Sequence, residues 1–154
     1  MAPAPNRFHQ DVSKAIEFLI QRHLREHSIG EAYHAPFDVY LDTFNVYQPD
    51  ICFFSKDRFH LLSDRGAEGP PDLVIEILSP RNRQLDETVK KDIYAQKGVR
   101  ELWLVDPETK TVSVYDLAVT AETVHLTFDE AGRYESSLLP GLVFYGKEVF
   151  YQRV

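Results

Sequence analysis

The sequence predicts an α/β fold in which a mixed β-sheet carries helices, because two stretches of four-residue apolar periodicity alternate with short runs rich in aromatic and β-branched residues. Composition agrees. Hydrophobic residues make up 44% of 154 residues, with 10 Phe and 8 Tyr, which is enough to bury the core of one domain spanning residues 1–154 without staples.

The first helix runs from Phe8 to His27, where Val12, Ile16, Leu19, Ile20 and Leu24 recur at helical spacing before Ser28-Ile29-Gly30 stops it. Three strands follow, at Ala32 to Leu41, Val46 to Phe54 and Asp72 to Leu78. The polar segment Ser55 to Pro71 reads as a loop. After Ser79-Pro80, Leu85, Val89 and Ile93 mark a second helix, packed on the sheet by those three residues and ended by Gly98. Glu101 to Val105 and Thr111 to Leu117 make a hairpin, and further strands are expected at Thr123 to Phe128 and Leu142 to Phe144.

No apolar run approaches the ~20 residues of a membrane span, and the first ten residues lack the apolar core of a signal peptide, so a cytoplasmic location is expected. The lone Cys52 lies in the apolar run Ile51 to Phe54 and reads as a core residue. A net charge of −7 argues against nonspecific nucleic-acid binding by the whole surface. The segment Arg81 to Arg100 nevertheless carries six basic residues against three acidic ones. That local excess suits a phosphate site or a solvated helix face. Eighteen Phe and Tyr in so small a chain predict self-association as a dimer.

The informative residues are acids inside apolar strands: Asp50 before Ile51-Cys52-Phe53-Phe54, and Asp72 and Glu76 within Pro71 to Leu78. Alternation puts Asp72, Val74, Glu76 and Leu78 on one face. A carboxylate at mid-strand is costly unless paired or holding a cation, so Glu76 points to function, and with Asp50 on an adjacent strand it would make an oxygen-rich site for Mg²⁺ or Mn²⁺. Asp72, at the strand entrance, reads instead as bonding local backbone groups. Lys90, taken alone, reads as a surface pair with Asp86 four residues earlier.

A wider pattern alters that weighing. Gln48-Pro49-Asp50, the stretch Pro71 to Pro80, the series Asp86, Lys90 and Tyr94, the stretch Gly98 to Pro107, and Leu139-Pro140-Gly141-Leu142 together resemble the Uma-type restriction endonuclease family of the PD-(D/E)xK superfamily. The resemblance implies a restriction-endonuclease-like core and a metal-dependent endonuclease of DNA. It makes Asp50 and Glu76 the metal-binding acids, with Lys90 as the catalytic lysine on the following helix. The position two residues after Glu76, where the simplest motif has its lysine, is Leu78. Glu17 is a further acid that related nucleases would place nearby.

Two other readings stand beside this one. His23-Leu24-Arg25-Glu26-His27 matches the H-x-x-E-H pattern of zinc peptidases, and both histidines fall on the apolar face of the first helix. A catalytically inactive binding or assembly module of the same fold would equally suit the acidic body and the displaced lysine. The remaining histidines, including His9, form no pattern.

Overall fold

A computed structural model describes residues 6–80 and 83–151. Helix α1 (Arg7–Glu26) begins at Asn6, whose side chain accepts a hydrogen bond from the His9 amide at 2.9 Å, so one orphan donor of the first turn is satisfied. Its apolar stripe of Val12, Ile16, Leu19 and Ile20 is buried against the sheet. Burial of each such side chain contributes on the order of 1.5–3 kcal/mol.

Six strands form the main sheet: β1 (Gly30–His34), β4 (Ile51–Ser55), β7 (Leu73–Ile77), β8 (Glu101–Asp106), β9 (Thr111–Asp116) and β10 (Leu126–Asp129). They lie in the spatial order β1-β4-β7-β8-β9-β10, and only β7 and β8 are parallel. A parallel pair needs a long crossover, which the second helical segment provides. Leu73, Ile75 and Ile77 of β7 pack toward α1, whereas Val74 and Leu78 pack with Tyr94 on the opposite side.

Two predicted strands are broken where proline intervenes, since proline donates no ladder hydrogen bond. Ala32 to Leu41 divides around Pro36 into β1 and β2 (Val39–Tyr40), and Val46 to Phe54 divides at Pro49 into β3 (Val46–Tyr47) and β4. The predicted loop 55–71 instead holds a 3₁₀ helix (Lys56–Leu61) and the short strands β5 (Leu62–Ser63) and β6 (Gly66–Ala67), which join β2 and β3 in a second sheet ordered β3-β2-β6-β5. Near the C-terminus, β11 (Arg133–Glu135) pairs with β12 (Val143–Tyr145), and the short α4 (Gly146–Val149) follows.

The second helical segment corrects the expected packing. It consists of α2 (Arg83–Leu85), a π turn (Asp86–Lys90) and α3 (Lys91–Lys97), ended by Gly98 in the left-handed conformation at φ 100°. Leu85 and Val89 are half exposed, at 50% and 51%, while Tyr94 is fully buried. The wide π turn alters the rotation per residue, so four-residue counting no longer predicts the inward face. Lys90 and Tyr94 face the sheet instead. Arg81 of the basic segment lies outside the described residues, as does the side chain of Asp86, the partner once expected for Lys90. No described helix is long and apolar enough to cross a membrane.

Candidate active site

The β4–β7 ladder runs through Phe53–Leu73 and Cys52–Val74 and ends at Ile51–Ile75. Beyond it, carboxylates take over from backbone carbonyls. The Asp50 amide donates to Glu76 Oε1 at 3.0 Å, and the Ile77 amide donates to Asp50 Oδ2 at 2.7 Å. The two acids thus interlock across the strand ends, each satisfying a backbone donor that would otherwise lack an acceptor.

Glu76 is 3% exposed, so its charge requires partners. Its Oε2 accepts from Lys90 Nζ at 2.8 Å and from the Tyr94 hydroxyl at 3.0 Å. Lys90, most of its side chain buried, also lies 5.3 Å from the centre of the Tyr47 ring, and that ring packs edge-on against Tyr94 at 5.5 Å. The structure therefore brings Asp50, Glu76 and Lys90 together, and adds Tyr94, for which the sequence suggested no role.

His9 is the residue that sequence reasoning missed. Its Nε2 lies 3.6 Å from Asp50 Oδ2. The adjoining Asp50 carboxylate raises the imidazole pKa above its ordinary 6.5, with smaller help from the Ile77 main chain and Glu76, while burial opposes the shift. The available signal was indirect: Asn6 as helix cap puts residue 9 in the first turn, but only the tertiary fold sets that turn against the end of β4. A cleft of about 130 Å³ opens beside it, lined by Asn6, His9, Ser79, Arg83 and Asp106 among others. A larger cavity of about 430 Å³ lies between Tyr33, Phe37, Asp38, Gln48 and Arg65, and no site residue lines it.

Other candidates go elsewhere. Asp72 is fully buried at the opposite end of β7, where its Oδ2 accepts from the Ser55 amide at 2.6 Å, while Arg58 and Arg100 lie 3.3 and 3.4 Å from its Oδ1. Glu17 faces His34 of β1 at 3.7 Å. His23 Nε2 bonds the Pro140 carbonyl at 3.0 Å, His27 Nδ1 bonds the His23 carbonyl at 3.2 Å, and the two rings stack at 4.2 Å. That geometry is a helix end fastened to a neighbouring loop, and it leaves the zinc reading without support. Cys52 is buried, and burial pushes its thiol pKa up, away from reactivity.

Among the described residues, no cluster of three His, Cys, Asp or Glu side chains could hold a metal ion. Mg²⁺ needs fewer protein ligands, since it is usually bound by one or two carboxylates together with waters and substrate phosphates. Asp50 Oδ2 and Glu76 Oε1 each accept one backbone amide, and a carboxylate oxygen has two lone pairs. The donor set fits a hard cation held in that way.

Over residues 1–145 the chain matches the profile of Uma2, a family described as "Putative restriction endonuclease". The chain belongs to this family. Its fold is also that of a crystal structure described as "a putative nuclease belonging to DUF820" from Anabaena variabilis ATCC 29413, with a TM-score of 0.79 and 23% sequence identity over 96% of this chain and 83% of that one. No curated protein matches the chain. Family membership supports a nuclease, and the structural likeness supports the fold.

Proposed function

We propose that this Uma2 chain is a magnesium-dependent endonuclease of DNA, with Asp50, Glu76 and Lys90 as catalytic residues and the two carboxylates as the metal-holding pair. The single observation that carries the proposal is the buried cluster at the β4–β7 end, where Lys90 lies 2.8 Å from Glu76 and Glu76 is interlocked with Asp50. Family membership supplies the reaction class.

Bound Mg²⁺ would polarise the scissile phosphate and lower the pKa of its water, which is the chemistry that the two acids alone lack. The protein's part is positioning. Tyr94 and the Asp50 amide fix the Glu76 carboxylate, while Asp50 is fixed by the Ile77 amide. The Lys90 ammonium stabilises negative charge developing on the phosphate. Water attacks directly, so no covalent intermediate on the protein is required.

The same geometry gives the test. Lys91, the neighbouring cation, turns away and lies 4.5 Å from the centre of the Tyr115 ring. In magnesium-dependent nicking of supercoiled plasmid, Lys90→Ala should lower the rate by ~10²–10³-fold, whereas Lys91→Ala should weaken binding slightly through one lost phosphate contact. Because Lys90→Ala also strips a partner from buried Glu76, the assay is run below the melting temperature of every variant. Equal nicking by all three proteins would withdraw Lys90 from catalysis, and absence of metal-dependent nicking by the wild type would leave a noncatalytic module of the same fold.

A further inference from the structure

We propose that Phe44 is a nucleobase-stacking residue, presented by the β2–β3 hairpin to a DNA strand engaged at the Asp50–Glu76–Lys90 site. This inference rests on the nuclease reading. It adds to it the element that grips the strand.

Phe44 is 93% exposed. Isolated exposed apolar residues need no explanation, but the turn beneath this one is built to hold it still. Asp42 Oδ1 accepts from the amides of Phe44 and Asn45, both at 2.8 Å. The Asn45 side-chain amide reaches both Asp42 oxygens at 3.0 Å, and the Leu41 amide bonds the Asn45 carbonyl at 2.9 Å. Lys97 of α3 then ties the tip down, its Nζ 2.7 Å from Asp42 Oδ2. The backbone that carries the ring is therefore ordered before any partner arrives, which lowers the entropic cost of a contact.

The hairpin also reaches the site. Tyr47, on its returning arm, donates to Asn45 Oδ1 at 3.5 Å and packs against Tyr94 and Lys90, both of which bond Glu76. Phe44 and Tyr47 are three residues apart, a chain span of at most about 10 Å. That is about three nucleotide rises of one DNA strand, so a single strand can touch both places. Charge identifies the occupant. Through Lys97 the tip is tied to the segment Arg81 to Arg100, whose six basic residues against three acidic ones stand out in a chain of net charge −7, which favours a polyanion over a second copy of the same acidic chain. Aromatic side chains meet such strands by stacking on bases, whatever the sequence.

The test uses the full chain in Mg²⁺, with Glu76→Gln as background so that the DNA stays intact, and labelled single-stranded and duplex oligonucleotides as probes. Phe44→Ala should weaken binding about tenfold or more, whereas Phe44→Trp should retain it. The introduced indole should be quenched on adding DNA, and the native Trp103 is fully buried, so that change reports position 44. Unchanged affinity of Phe44→Ala with unchanged indole emission would overturn the proposal. So would a Phe44→Ala variant that binds DNA normally but loses a dimer seen for the wild type by sedimentation, which would assign the ring to self-association. A wild type that neither binds nor nicks DNA removes the nuclease reading itself, and this proposal with it; nicking by the wild type alongside normal DNA binding by Phe44→Ala removes this proposal alone.

Discussion

Strand β7 carries a buried acid at each end of the same face, and the two ends are neutralised in different ways. Asp72, just before the strand, is held by two guanidinium groups and the Ser55 amide. Arg58 at the same time donates to the carbonyls of Pro70, Pro71 and Gly98 at 2.9–3.2 Å, fastening the entry to β7 against the end of α3. Glu76, four residues on, has one flexible ammonium, one hydroxyl and a second carboxylate beside it. One end closes a structural joint. The other gathers two carboxylates, with the Lys90 ammonium on Glu76 and the His9 ring beside Asp50, an arrangement that suits a site taking up a further positive charge.

The largest expected effect breaks the structural end. Asp72→Ala leaves the part-buried Ser55 amide without its acceptor and takes their buried partner from Arg58 and the half-exposed Arg100, and an orphaned donor of this kind typically costs ~1–3 kcal/mol. For a domain of this size that lowers the melting temperature by roughly 2–12 °C, measured by circular dichroism. A shift of under about 2 °C would mean that the arginine joint holds nothing together.

The next effect belongs to the other end. Calorimetric titration with Mn²⁺ should show weak binding by the wild type and none by Asp50→Asn/Glu76→Gln. Identical isotherms for the two proteins would remove the metal-holding pair from the account.

A smaller effect sharpens the edge of the site. Because His9 titrates above its ordinary 6.5 beside Asp50, their pairing stabilises the fold fully below about that pH and is lost as pH rises through the raised value. Asp50→Asn removes the main cause, so the His9 midpoint followed by NMR in metal-free protein should fall. An unmoved midpoint would detach His9 from Asp50.

Much of this was legible in the sequence where local periodicity decides structure. The α1 stripe, the apolar β7 and β8 strands and the Gly98 helix end follow from side-chain spacing and backbone preference alone. The proximity of Asp50 to Glu76 was legible too, because both acids interrupt apolar strands. The orientation of the second helical segment was not. Counting by four puts Leu85 and Val89 inward, and the π turn instead brings Lys90 and Tyr94 to Glu76. His9 was invisible for a different reason: its partner is 41 residues away in sequence and reached only through packing of α1.

The most direct measurement replaces the charged pair with a neutral one. In Glu76→Gln/Lys90→Met neither a buried carboxylate nor a buried ammonium is left alone, and exchanging a buried ion pair for uncharged groups is often neutral or stabilising. The account predicts a melting temperature at or above that of the wild type, with magnesium-dependent nicking lowered by ~10³-fold or more. Wild-type nicking by this double variant would contradict it, because the Glu76 end of β7 would then be as purely structural as the Asp72 end.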